Sequence, residues 1–215
     1  MTIASPPQVT KPRPRARRRA WKLRVEQGRL ADLLPAQGEW TADDYLWLTR
    51  DTNHLIEWAD GWIEELPMPT VTHQRISKRL LLLLDAWLEA RGGVIYYSPL
   101  RLRVSETRFR EPDLLAFLDA ADARNADDYW RGADLVVEII SPGNADHDLV
   151  TKRLEYAEAR IPEYWIVDTQ SPSLTVLALE SDAYREHGRF APGENATSPL
   201  LPGLAVAMDV LFAVR

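Results

Sequence analysis

"ADLVVEIISPGNADHDLVTKRLEYAEARIPEYWIVD", residues 133–168, decides the fold. Its first third reads as a strand: Leu135, Val136, Val137, Ile139 and Ile140 are apolar and β-favouring, and a run that apolar is normally covered on both faces. Ser141-Pro142-Gly143-Asn144 follows as a loop. Asp146 to Arg160 reads as a helix, and Tyr164–Val167 as the next strand. One residue does not belong in a buried strand. Glu138 sits in the middle of the apolar run, where a carboxylate costs several kcal/mol, as an order of magnitude, unless something pairs with it.

Upstream, "HLIEWADGWIEEL" reads as a β-hairpin turning at Asp60-Gly61, and Thr41 with Asp44 three residues on can cap a short helix, Ala42 to Leu48. Pro67 and Pro69 break the chain before a helix over roughly Val71 to Ala90, which puts His73, Ile76, Leu80, Leu83, Leu84 and Trp87 on one face and ends at Gly92-Gly93. Strands are expected near Val94–Tyr97, Leu100–Val104 and Pro112–Phe117. Downstream, strands are expected at Leu174–Leu179 and Ala183–Phe190, and "GLAVAMDVLF" fits strand or helix. A hairpin, a helix, several strands, a helix and more strands make an α/β fold with a mixed central sheet flanked by helices.

Composition bounds the function. At 215 residues with 46% apolar content, one domain with a real core and a tail is expected. The absence of cysteine excludes disulfides and thiolate zinc sites, and His54, His73, His147 and His187 show no metal-ligand spacing. The apolar run Leu80–Leu84 is too short to span a membrane, and no apolar segment follows the basic N-terminus, so a soluble, cytoplasmic protein is expected. Charge is uneven. Residues 1–24 hold eight basic residues and no acidic one; the remainder has 18 basic and 32 acidic residues, a net of −14. Residues 1–34 therefore read as a basic, Pro-rich, disordered arm and residues 35–215 as the folded domain. Arg15, Arg17, Arg18, Arg19 and Lys22 of the arm can neutralise phosphates, or the arm is a solubilising extension. The acidic body argues against broad, tight DNA binding.

Two carboxylates fall on expected central strands: Asp113 in "REPDLLAF" and Glu138. Side chains alternate along a strand, so Glu138 shares a face with Val136 and Ile140. Two facing carboxylates repel unless a cation sits between them. Oxygen-only ligands suit Mg²⁺ or Mn²⁺, so one reason to bury Glu138 is to hold a metal. The alternative is a buried salt bridge. No Walker lysine motif, dinucleotide glycine fingerprint or nucleophile-elbow serine is present.

Pro112-Asp113, then Glu138 in "VVEIIS", then Asp148, Lys152 and Tyr156, then "PEYWIVD", in that order, closely resemble the Uma family of restriction-endonuclease-like proteins in the PD-(D/E)XK nuclease superfamily. "IEWADGWIEELP" resembles that family's hairpin, and His73 stands where its following helix carries a histidine. The resemblance spans about residues 40–210. It implies an α/β/α sandwich with an N-terminal β-hairpin, and a Mg²⁺- or Mn²⁺-dependent endonuclease acting on DNA. Asp113 and Glu138 would bind the metal, with the Ile139 carbonyl as a third ligand. His73 and Glu57 would join the catalytic set around them. Cleavage of a duplex would favour a homodimer. Two other readings stay open: a degenerate fold that binds nucleic acid or a partner without cutting, and a phosphodiesterase acting on a small substrate.

The chain departs from the superfamily pattern where a lysine usually stands two residues after the glutamate. That position is Ile140, and the resemblance suggests that Lys152 reaches back instead. Helical angles test this. At about 100° per residue, Val150, Leu154, Ala157 and Ile161 form the apolar face, which puts Lys152 in solvent beside Asp148, four residues before it. The catalytic role needs the opposite face to turn inward. For Glu57 and His73 the plainer alternatives are a solvent-facing hairpin charge and a core histidine, and Tyr156, Tyr164 and Trp165 are expected to pack.

Overall fold

The structure, a computed structural model, describes residues 34–50, 52, 54–140 and 147–213. The basic arm and the Ser141–Asn144 loop lie outside the described residues. The elements run α1 (Ala42–Leu48), β1 (Ile56–Ala59), β2 (Trp62–Glu65), α2 (Val71–Glu89), β3 (Val94–Tyr97), β4 (Leu102–Ser105), β5 (Arg108–Arg110), β6 (Leu114–Phe117) and β7 (Leu135–Ile140). A π-helical turn, His147–Lys152, leads into α3 (Arg153–Glu158). β8 (Glu163–Asp168), β9 (Ser173–Glu180), β10 (Ala183–Phe190), β11 (Asn195–Thr197), β12 (Ala205–Ala207) and α4 (Met208–Phe212) complete the fold.

Six strands form the central sheet in the order β10-β9-β8-β7-β6-β3. Only β7 and β8 in it are parallel, joined over the crossover that contains α3; the other neighbours are antiparallel, so the sheet is mixed. All six residues of β7 are buried, as expected for a central strand covered on both faces. Alternation sends Leu135, Val137 and Ile139 into one core with Ile76, Leu80, Leu84 and Leu88 of α2 and Leu211 of α4. Val136 and Ile140 enter a second core with Tyr156 and Ala157 of α3, Tyr164 and Leu177. Helices therefore cover both faces of the sheet, which makes the expected α/β/α sandwich.

A second sheet, β2-β1-β5-β4, contains the hairpin. Asp60 (φ 50°) and Gly61 (φ 90°) both take positive φ at its tip, which matches the right-handed twist of the flanking strands. Gly61 has a second reason to lack a side chain: a Cβ there would lie 2.5 Å from the Gly38 carbonyl oxygen, whose own amide donates to the Gly61 carbonyl at 2.8 Å. Trp40, Tyr45, Ile56, Trp58 and Phe109 form a third, aromatic core that seats α1 on this sheet. Thr41 caps α1 through the expected capping box with Asp44. The chain passes from the second sheet to the first between Arg110 and Leu114, so Glu111-Pro112-Asp113 is the crossing.

Several expectations needed correction. β5 and β11 were not anticipated; each has three residues, too short for a periodic signal. β6 starts at Leu114 rather than at Pro112, which lacks the N–H a ladder needs. The face of α2 is His73, Ile76, Leu80, Leu84 and Leu88; Leu83 is exposed, and Trp87 is half-buried under the Arg91 guanidinium at 4.0 Å. "GLAVAMDVLF" is strand and then helix. Among the described residues no helix is long and apolar enough to cross a membrane.

Candidate active site

Asp113 and Glu138 meet because of register. Leu114 of β6 pairs with Val137 of β7 in antiparallel fashion; continued by one residue, that register sets Asp113 opposite Glu138. Facing residues of such a pair have Cβ atoms roughly 5 Å apart. The β6–β7 ladder stops at this point, and the Ile139 N–H donates to Asp113 Oδ2 at 2.7 Å. His73, in the first turn of α2, places Nε2 3.1 Å from the same oxygen. Thr70 fixes that turn by accepting from the His73 amide at 3.2 Å. Ile139 thus meets the site through its amide, and its side chain is in the core.

Glu138 is 4% exposed, and a cation does stand beside it: the Lys152 ammonium, 3.0 Å from Glu138 Oε1. The same ammonium lies 3.0 Å from Glu57 Oε1. Tyr156 donates to Glu138 Oε1 at 2.6 Å while packing edge-on against Tyr164. Glu57 is buried, so it is not a solvent-facing hairpin charge. It accepts from the Glu111 amide and from Arg110, both at 3.1 Å. Arg110 grips Glu155 of α3 by two bonds of 2.6 Å. Burial works against the charge of Glu57, but the cations of Lys152 and Arg110 outweigh it and hold the carboxyl below its ordinary range. Burial, reinforced by the Glu138 charge, pushes the Tyr156 phenol up, so it remains a donor.

The amphipathic reading of the second helix is therefore overturned. Val150 and Leu154 are 61% and 62% exposed, while Lys152 is 3% exposed and Glu155 and Tyr156 are buried. Lys152, Glu155 and Tyr156 share a face at spacings of three and four. That face is turned inward because Glu57, Glu138 and Arg110 already stand buried on strands and need partners. The Asp148 side chain, offered as a surface partner for Lys152, lies outside the described residues.

Sequence reasoning missed Glu111. It is buried, its Oε1 accepts from the Ile56 amide at 3.2 Å, and its Oε2 has no partner. Burial, with the charge of Glu57 adding to it, raises its carboxyl to about 8. Its place two residues before Asp113, on the same side of an extended chain, was the available signal.

Asp113, Glu138, Lys152, His73 and Glu111 line one cavity of about 380 Å³. Glu57 stands behind Lys152. Among the described residues no three His, Asp or Glu side chains are arranged to hold a metal. The donor chemistry nevertheless fits one. Mg²⁺ is commonly held by one or two carboxylates and completed by water and phosphate oxygens. Asp113 and Glu138 supply two such carboxylates at the cavity, and Glu111 lines it beside them.

A mixed sheet between helices, with acidic residues facing each other at the end of two adjacent central strands and a lysine reaching them, defines a restriction-endonuclease-like nuclease fold. The comparisons agree. The model of the Uma2 family, described as "Putative restriction endonuclease", matches residues 42–210, and the chain belongs to this family. No curated protein matches. Among solved structures, the chain is similar to "a putative nuclease belonging to DUF820" from Anabaena variabilis ATCC 29413. The TM-score is 0.69 at 19% identity, over 81% of this chain and 98% of that one.

Proposed function

We propose that the chain is a metal-dependent endonuclease that hydrolyses phosphodiester bonds in DNA. One observation carries the reading: Asp113 and Glu138 face each other at the cavity, with the Lys152 ammonium 3.0 Å from Glu138. Asp113 and Glu138 are the residues that would hold Mg²⁺ or Mn²⁺, with the Ile139 carbonyl beside them. When bound, the metal polarises the phosphate and lowers the pKa of a water. Lys152 presents a fixed positive charge where the phosphate gains negative charge, and needs no reorganisation to do so. Glu57 and Glu138 hold that ammonium in place, and Tyr156 holds Glu138. His73 and the Ile139 amide fix the Asp113 carboxylate. The cavity restricts water around these groups, which strengthens each charge interaction.

Mn²⁺ binding tests the site separately from turnover. Calorimetry on wild type should show binding that Asp113→Asn and Glu138→Gln each weaken at least tenfold, together with loss of plasmid cleavage. Wild-type affinity in either variant refutes the assignment.

A further inference from the structure

The groups assigned to the chemistry are deep. Lys152 and Glu138 are 3% and 4% exposed, so a scissile phosphate must enter the cavity to reach them. At about 380 Å³, the cavity is near the lower end of the size range for small-ligand sites. It takes one ligand unit, not a groove's length of polymer. A DNA duplex is stiff over roughly 150 base pairs, and its bases are held in the stack. It cannot offer a single phosphate to a buried floor without opening.

The mouth of the cavity is of a different character. Tyr97, the last residue of the edge strand β3, is 63% exposed there, and Met68, between Pro67 and Pro69, is 81% exposed. An exposed ring and a thioether beside a charged floor form an apolar lip around a polar site. A nucleobase presents a face suited to such a lip, and in a duplex that face is taken by its neighbours. Charge points the same way. Among the described residues, Lys152 is, apart from His73, the only basic side chain lining the cavity. Residues 25–215 carry a net charge of −14. A surface that tracks a duplex makes roughly 6–10 phosphate contacts, whereas the described lining of this cavity offers a lysine for one.

Building on the nuclease reading, we propose that the substrate enters as an unpaired strand: single-stranded DNA, or a frayed or flapped segment. One base stacks on Tyr97 and the adjoining phosphate reaches the Glu138–Lys152 floor. The edge position of β3 lets the strand continue past Tyr97 on either side.

Binding and cleavage on the full chain test this. Anisotropy with a phosphorothioate oligonucleotide in millimolar Mg²⁺ should show the single strand bound at least tenfold tighter than the same sequence as a blunt duplex. Tyr97→Ala should lose roughly tenfold on the single strand, the scale of one base–aromatic stack, and nothing on the duplex. Tyr97→Phe, which keeps the ring, should bind the single strand as wild type does. With ordinary DNA and Mg²⁺, the single strand or a flap should be cut at least tenfold faster than the blunt duplex. Equal affinity for the two forms, or a Tyr97→Ala protein that binds the single strand as wild type does, overturns the proposal. The two readings fail separately: Tyr97-dependent single-strand binding without cleavage of any DNA rejects the nuclease and keeps the unpaired strand, whereas blunt duplex cut as fast as single strand keeps the nuclease and rejects the unpaired strand.

Discussion

Replacing Lys152 with methionine keeps the buried stem and removes the charge. The ammonium lies 3.0 Å from both Glu57 and Glu138, and both carboxylates are nearly inaccessible to water. Breaking a buried pair by removing one partner costs about 3–5 kcal/mol, because the remaining charge is stranded. Two contacts limit the loss. Arg110 still reaches Glu57 at 3.1 Å, and Tyr156 still donates to Glu138 at 2.6 Å. The lower end, about 3 kcal/mol, is therefore expected. A lysine on the surface would cost only roughly 0.3–0.5 kcal/mol. Typical domain stabilities of about 5–15 kcal/mol leave the variant folded. Urea denaturation at neutral pH should show a lower midpoint with an unchanged slope. Glu57→Gln added to Lys152→Met should recover part of the loss, with a coupling of about 1–3 kcal/mol, because it removes a stranded carboxylate. The penalty should also shrink as pH falls, since the stranded carboxyl can then take a proton in the fold. A single variant within about 0.5 kcal/mol of wild type, on the scale of a surface pair, refutes the buried-clamp account.

Glu111 gives a pH prediction of definite sign. Its carboxyl is raised from 4.5 to about 8 in the fold, so the folded state keeps a proton that the unfolded chain releases. Its contribution makes stability fall as pH rises from about 4.5 to about 8. Glu111→Gln should flatten that decline and gain on the order of a few kcal/mol above pH 8, at about 1.4 kcal/mol per unit; denaturation midpoints with the wild-type slope against pH would sink this. For the basic N-terminal residues, deleting 1–24 removes eight cations. It should weaken binding to any DNA and flatten the dependence of log K on log salt; an unchanged slope shows that they contact no phosphates.

The architecture was legible because it rests on burial patterns that survive in sequence. The β7 run, apolar but for Glu138, the Asp60-Gly61 turn and the Thr41 cap each have one local solution, and the structure adopts it. The candidate site was legible only where a charge interrupts such a pattern. Glu138 is conspicuous because Val137 and Ile139 flank it. Asp113 is marked by Pro112 and the apolar run after it. The second helix was misread for a physical reason. It carries two stripes at helical spacing, Val150–Leu154 and Lys152–Tyr156, and hydrophobicity alone selects the first. A π turn closes i→i+5 rather than i→i+4 hydrogen bonds, so a constant 100° step does not hold before Arg153. More decisive is the accounting of charge. Glu57, Glu138 and Arg110 are buried, and each needs a buried partner of opposite sign; of the three, the sequence places only Glu138 on a core strand. Lys152 and Glu155 supply those partners from one face, with Tyr156 completing Glu138, while Val150 and Leu154 give up only the burial of two aliphatic side chains, about 1.5–3 kcal/mol each. Glu138 alone carried that signal in the sequence: a carboxylate in a buried strand needs a cation, and Lys152 is the one the following helix can turn inward, because an unpaired buried charge costs more than an exposed leucine.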